Sequence, residues 1–259
     1  MRSDVVKCSE IIEFLKKLAP QELAEEWDNT GLLVGNSDDS IKRIMICLDV
    51  TFASINEAAS KKAELIITHH PVIFEGIKRI TKQEFKGKQL YKLIQNGISV
   101  YSAHTNLDYA DSGVNACLAS SLGIHDVVMM DKGPGKCGML EQRMSLEEFT
   151  CRVKESLQVP FLRVVGHVDS DIQKVAVFSG SFDGDLDAVL QSGADVLVTG
   201  DLKYHTALDA REAGLCIVDA GHFNTEKVVL PYLAQVIGDA FPEVEIILYN
   251  EESDPFLTC

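Results

Sequence analysis

Although 46% of its 259 residues are hydrophobic, the chain has no run of apolar residues approaching the roughly 18–20 that a membrane-spanning helix requires. It lacks an apolar signal-peptide core as well. Met1-Arg2-Ser3-Asp4 leads into a charged amphipathic segment, and the expected location is cytoplasmic. There is no C-x-x-C pair. The seven cysteines (Cys8, Cys47, Cys117, Cys137, Cys151, Cys216 and Cys259) are odd in number and scattered, which excludes a disulfide framework and a zinc ribbon and implies reduced, mostly buried thiols. Positive charge is scarce: 24 Lys and Arg stand against 39 Asp and Glu, for a net charge of −15. Nucleic-acid backbones and anionic membranes would be repelled as primary partners. A phosphorylated small molecule is not excluded, because a bound metal pair reverses the local field. The lysines at 61, 62, 78, 82, 86 and 88 read as a solvated helix face. No fixed-period repeat is present, so a solenoid is excluded.

What the chain does have is an alternation of short β-rich runs with helical patterns. The runs are Arg43–Val50, Glu64–Thr68, Ile98–Ala103, Phe161–Val168, Lys174–Phe178, Val196–Val198, Leu215–Val218 and Val244–Tyr249. Helical spacing appears over 9–26, with Ser9 as the expected cap, and near 52–62, 86–96, 112–122, 145–157, 183–192, 204–213 and 224–238. Ser145 and Glu148 have the spacing of a capping box. Such alternation predicts an α/β fold with mixed, mainly parallel sheets. The stretch 125–143, centred on Gly133-Pro134-Gly135, reads as a connection. It divides the chain into an N-terminal lobe, 1–130, and a C-terminal lobe, 131–259. The expected architecture is two facing α/β lobes with a metal site in the cleft between them.

Five of the seven histidines fall at or just beyond the C-terminal ends of predicted strands, the edge where open α/β sheets bind ligands. Thr68-His69-His70-Pro71 follows an apolar strand. Consecutive strand residues point to opposite faces, so both imidazoles reach one site only if the chain bends there, as Pro71 favours. The plainer alternative is one buried and one surface histidine. His104-Thr105-Asn106-Leu107-Asp108 follows a second strand. Asp108 is a candidate bridging carboxylate or a turn acceptor, and His104 a candidate for orienting a ligand. Gly221-His222-Phe223-Asn224-Thr225-Glu226 follows a third strand, with Gly221 allowing a tight turn. His222 and Glu226, four apart, project from one side of a helical turn as a metal clip, or else serve as a cap and a dipole partner.

Together His69, His70, Asp108, His222 and Glu226 suit zinc, iron, manganese or cobalt. Three imidazoles and two carboxylates exceed the needs of one catalytic zinc and match two divalent cations about 3.5–4 Å apart. Asp201 and His205 are titratable and not required as ligands, which makes them candidates for proton transfer or substrate contact. Their local alternative is Asp201 capping the helix near Tyr204, with His205 on its first turn. Ser179-Gly180-Ser181-Phe182-Asp183-Gly184 is a small-residue loop after a strand whose backbone N–H groups could approach a phosphate; without P-loop spacing or lysine it reads rather as a plain turn. Trp27, in Trp27-Asp28-Asn29-Thr30-Gly31-Leu32, is expected to be buried against the lobe, while the sequence does not decide the roles of Asp28 and Asn29.

On five anchors taken in order, the chain resembles the Nif-three-like family, also known as GTP cyclohydrolase I type 2 homologues. The anchors are Trp27-Asp28-Asn29-Thr30-Gly31-Leu32, Thr68-His69-His70-Pro71, His104-Thr105-Asn106-Leu107-Asp108, Val198-Thr199-Gly200-Asp201-Leu202-Lys203-Tyr204-His205, and Gly221-His222-Phe223-Asn224-Thr225-Glu226. The resemblance covers essentially the whole chain. It implies a two-lobed subunit with a dinuclear centre, with His69, His70, Asp108, His222 and Glu226 on the family's ligand positions. It further implies a toroidal hexamer and a compact form without the inserted middle domain of longer relatives. The activity expected on these grounds is hydrolysis of a nucleotide or phosphorylated small molecule by a hydroxide bridging two metals. The alternative is a non-enzymatic metal-binding scaffold, metal-handling or regulatory protein.

Overall fold

Apolar runs that end at polar, glycine or proline residues form the strands of two α/β sheets. The computed structural model describes residues 5–182 and 184–257. The N-terminal Met1–Asp4, the expected first helical residue Asp183 and the last cysteine, Cys259, lie outside them.

The chain divides into two compact units, Met1–Ala110 with Leu230–Glu252, and Asp111–Val229 with Ser253–Cys259. The crossing therefore falls at Ala110–Asp111, not at 130/131, and the first unit is discontinuous. Gly133-Pro134-Gly135 lies in a tight reversal between the antiparallel strands Ile124–Met129 and Lys136–Ser145 of the second unit. Glycine and proline mark a hairpin turn as readily as a linker.

The first unit carries a five-stranded sheet ordered Glu245–Leu248, Arg43–Cys47, Leu65–Thr68, Ser99–Ser102, Gly31–Val34. The first four strands are parallel, and Gly31–Val34 closes one edge antiparallel to Ser99–Ser102. Met45, Cys47, Ile66 and Val100 pack into one core with Ile55, Leu90 and Leu93 of the helices Phe52–Lys61 and Phe85–Gln95. Their alternates Ile44, Ile46, Leu65, Ile67 and Tyr101 are buried too, as continuous apolar strands require when both faces of a parallel sheet are covered. The first helix is Cys8–Leu18; Lys7, not Ser9, occupies the cap position, and the Lys7 amide donates to Glu10 at 2.9 Å.

In the second unit six strands are ordered Ile124–Met129, Lys136–Ser145, Asp171–Ser181, Val196–Gly200, Cys216–Asp219, Arg163–Val165. Only the Asp171–Ser181, Val196–Gly200 and Cys216–Asp219 strands are mutually parallel, and the other pairings are antiparallel. The expectation of mainly parallel sheets thus describes the first unit and not the second. Period-two alternation is explicit here. Val175, Val177, Val196, Val198 and Val218 enter one core, whereas Ala176, Phe178, Leu197 and Ile217 enter the core on the opposite face. The helix Leu146–Leu157 buries Phe149, Val153 and Leu157 in the former, and Ser145 and Glu148 cap it reciprocally, as their spacing predicts.

Among the described residues no helix is long and apolar enough to cross a membrane. The six described cysteines are free, and Cys8, Cys47, Cys137 and Cys216 are buried.

Candidate metal centre

Register decides where the polar residues emerge. In the first unit Cys47 pairs with Thr68 and Thr68 with Ser102, so three parallel strands end side by side. The residues that follow, Asp49, His69 with His70, and His104, leave the sheet at one edge. Thr68 Oγ1 donates to the Leu48 carbonyl at 2.6 Å, and the His70 amide donates to the same oxygen at 3.0 Å. These bonds turn the chain just before Pro71, and the adjacent rings end on one side, with centroids 5.0 Å apart. His104 joins them, 5.2 Å from His69 and 5.6 Å from His70. One ligand atom from each of His69, His70 and His104 lies within 4.8 Å of the others. Asp108, on the short helix Thr105–Tyr109, places Oδ1 3.7 Å from Nε2 of His69.

The second unit follows the same rule. Thr199 pairs with Asp219, and the strands Val196–Gly200 and Cys216–Asp219 run out into Asp201 and His222. Gly221 takes φ +87°, the conformation expected of the tight turn, and the helix His222–Glu226 begins at once. His222 Nε2 and Glu226 Oε2 lie 3.2 Å apart across one helical turn, with the Glu226 carboxylate almost wholly buried. Gly180 sits beside them at φ +68°; a Cβ there would overlap Glu226 Oε1 and lie 3.4 Å from His222 Nε2. The pair therefore faces bare backbone.

Four imidazoles share one arrangement. Nδ1 of His69 meets the Ala103 carbonyl at 2.8 Å, that of His70 meets Asp49 at 3.1 Å, that of His104 meets Asp28 at 2.8 Å, and that of His222 meets Asp201 at 2.8 Å. Each acceptor is an oxygen, which assigns the proton to Nδ1 and, in the neutral ring, the lone pair to Nε2. Asp28 is itself buried and accepts from the Thr105 amide at 3.0 Å and the Thr105 hydroxyl at 2.5 Å. Burial alone would raise its pKa, but the hydrogen bonds from His104 and Thr105 prevail and hold it at about 2. Glu252 secures the loop that bears Asp49, accepting from the Leu48 and Asp49 amides at 2.7 and 2.8 Å; its pKa is raised by burial.

The chain is similar to known proteins over nearly its whole length. The model of the Duf34/NIF3 (NGG1p interacting factor 3) family matches residues 6–255. The chain belongs to the Duf34/NIF3 family. A relative from Clostridium perfringens, named GTP cyclohydrolase 1 type 2 homolog, is 38% identical over 97% of this chain and 99% of its own length. A Bacillus subtilis relative of the same name is 27% identical over 97% of this chain and 98% of its own. That alignment runs over 367 positions, so the relative contains sequence that this compact NIF3 chain lacks. The crystal structure of a Bacillus cereus protein related to NIF3 superposes with a TM-score of 0.94 at 28% identity, covering 99% of this chain and all of the other.

Within each unit of this NIF3-family chain, the structure brings His69 and His70 together with Asp108 beside His69, and joins His222 to Glu226. It adds His104 to the histidine cluster. Asp201 does not cap the following helix, whose cap position is Lys203; its carboxylate is engaged by His222. His205 is exposed on the helix Tyr204–Glu212, its ring 5.3 Å from that of Tyr204. Trp27 departs from expectation: it is 58% exposed rather than buried. The Ser179 and Gly180 amides donate to Asn115 and Thr225, so these two are not offered to a phosphate. Nothing in the sequence pairs Asp28 or Asp49 with a histidine. For Asp49 a signal of position exists, since it too follows the end of an apolar strand.

Proposed function

We propose that His69, His70 and Asp108 from one unit and His222 and Glu226 from the other hold two divalent cations, with His104 beside them, and that the protein is a metal-dependent hydrolase of a nucleotide or other phosphorylated small molecule. One observation carries the reading: four imidazoles have Nδ1 hydrogen-bonded to an oxygen, the arrangement that prepares Nε2 for a cation. The donor chemistry fits, since imidazole and carboxylate without thiolate suit zinc, iron, manganese or cobalt. The names of the relatives point to nucleotide hydrolysis and support the substrate class.

Bound divalent cations supply Lewis acidity and lower the pKa of coordinated water towards neutrality. The chain's own residues do the rest. Asp49, Asp28 and Asp201 hold the imidazoles in orientation and increase their basicity. Asp108 and Glu226 offset the positive charge of the cations. His205, exposed near the Asp201 strand end, is the group proposed to meet substrate or carry a proton. A hexamer of such subunits is proposed from the family likeness, and sedimentation reads it directly.

Elemental analysis of purified protein, followed by turnover assays on nucleotides and model phosphoesters, tests the proposal. The expected result is about two cations per chain and metal-dependent hydrolysis, both lost in His222→Ala and Glu226→Ala with the fold retained. Unchanged stoichiometry in both variants removes these residues from the site. Full metal binding without turnover on any substrate replaces the hydrolase with a metal-binding scaffold.

A further inference from the structure

The only tryptophan of the chain is the residue the fold hides least among its large aromatics near the histidine cluster. Trp27 is 58% and Phe74 53% exposed, with ring centroids 5.8 Å apart. Each ring meets His104 edge-on, Trp27 at 6.1 Å and Phe74 at 6.2 Å. Their neighbours are tied down. Asp28, next to Trp27, is tied to His104 and Thr105. Asn29 donates from Nδ2 to the carbonyl of Ile73, next to Phe74, at 2.6 Å. These bonds tie down the backbone beside both rings, which favours an aromatic surface formed before a ligand arrives.

We infer that Trp27 and Phe74, whose ring planes are tilted 53° to one another, form an aromatic corner for the planar base of a nucleotide, one ring stacking on its face and the other meeting its edge, with the anionic part at the proposed cation pair. The inference rests on the proposed function and names the part of the substrate that these two residues take. Every nucleobase offers a π-face to an aromatic side chain, and such stacking tolerates sequence and substituent. Charge agrees with an anionic ligand. The segment that carries Phe74 runs on into Lys78, Arg79, Lys82, Lys86 and Lys88 against Glu75 and Glu84, a local excess of positive charge in a chain of net charge −15. A sugar phosphate alone would use the cations and leave both rings exposed.

Because Trp27 is the sole tryptophan, its fluorescence reports this site and no other. Metal-loaded full-length protein is titrated with guanosine 5′-monophosphate, adenosine 5′-monophosphate and ribose 5-phosphate, and metal-free protein with guanosine. The nucleotides should quench Trp27 saturably and bind about tenfold or more tightly than ribose 5-phosphate. Calorimetry should show Trp27→Ala and Phe74→Ala each losing about tenfold in nucleotide affinity, with ribose 5-phosphate binding and metal content unchanged. Equal affinity for nucleotide and sugar phosphate, or wild-type nucleotide affinity in both variants, overturns the aromatic corner. So does a Trp27 spectrum that shifts with protein concentration and not with ligand, which makes the pair a contact between copies. The guanosine arm separates the two readings. Quenching in protein that binds no metal leaves the aromatic corner standing and defeats the metal centre; metal bound without quenching does the reverse.

Discussion

Asp201 Oδ2 accepts a hydrogen bond from Nδ1 of His222 at 2.8 Å, from a backbone held at φ +46°. Aspartate and asparagine tolerate that left-handed conformation better than most residues. Asp201→Asn therefore keeps the backbone and removes the charge. Its metal affinity, read by competition with a chelator, should fall by about 10–100-fold. An affinity equal to wild type would show that His222 needs no anionic partner.

His104 and His70 belong to one cluster, each with Nδ1 on a carboxylate. If both serve as ligands, His104→Ala and His70→Ala should each lose about one of the two proposed cations. Elemental analysis decides the matter. Loss in His70→Ala alone would return His104 to an orienting role.

Gly180→Ala should be costly for two reasons that act together: φ is +68° and the new methyl would overlap the Glu226 carboxylate. A destabilisation of roughly 1–2 kcal/mol or more in denaturant unfolding is expected, with reduced metal content. Metal content at the wild-type level would show that Glu226 moves aside without consequence.

Asp28→Ala removes a buried acceptor from the Thr105 amide, the Thr105 hydroxyl and His104. Leaving such donors unsatisfied costs about 1–3 kcal/mol. Thermal unfolding with a midpoint unchanged from wild type would count against Asp28 as the anchor of that loop.

Ser145→Ala serves as the control. Its hydroxyl accepts from the Glu148 amide at 3.2 Å at the start of a helix that carries none of the proposed ligands. About 1 kcal/mol of stability should be lost, with metal content intact; a change in metal content would show that the variants above report global stability and not ligation.

The strands that frame the site were legible because their apolar runs are short and end at histidine or aspartate, and each expected run overlaps a strand. Besides the two-residue strands Val6–Lys7 and Ser40–Ile41, too short to show a pattern, two features were hidden. The hairpin Ile124–Met129 and Lys136–Ser145 has a turn as rich in glycine and proline as a linker, and its second strand continues through Glu141-Gln142-Arg143, where no apolar alternation shows. Gly31–Val34 is a four-residue edge strand inside a glycine-punctuated segment. Within the site, the ligand candidates could be read from position alone, since strand ends gather them. Their acceptors could not. His104 finds Asp28 from 76 residues away, and His70 finds Asp49 from 21. Trp27 departs from a rule that is right on average: a large apolar side chain gains most by burial, but the bonds made by Asp28 and Asn29 hold its loop in place.

The first unit leaves the chain at Ala110 and resumes at Leu230, and its edge strand Glu245–Leu248 pairs with Arg43–Cys47. Synthesis on the ribosome thus delivers the whole central block, Asp111–Val229, before that edge can close. Until Glu245–Leu248 is translated, the backbone of Arg43–Cys47 presents an open, apolar rim to solvent or to a chaperone. Truncating the tail would leave that rim permanently uncovered, although the proposed ligands all lie upstream of it.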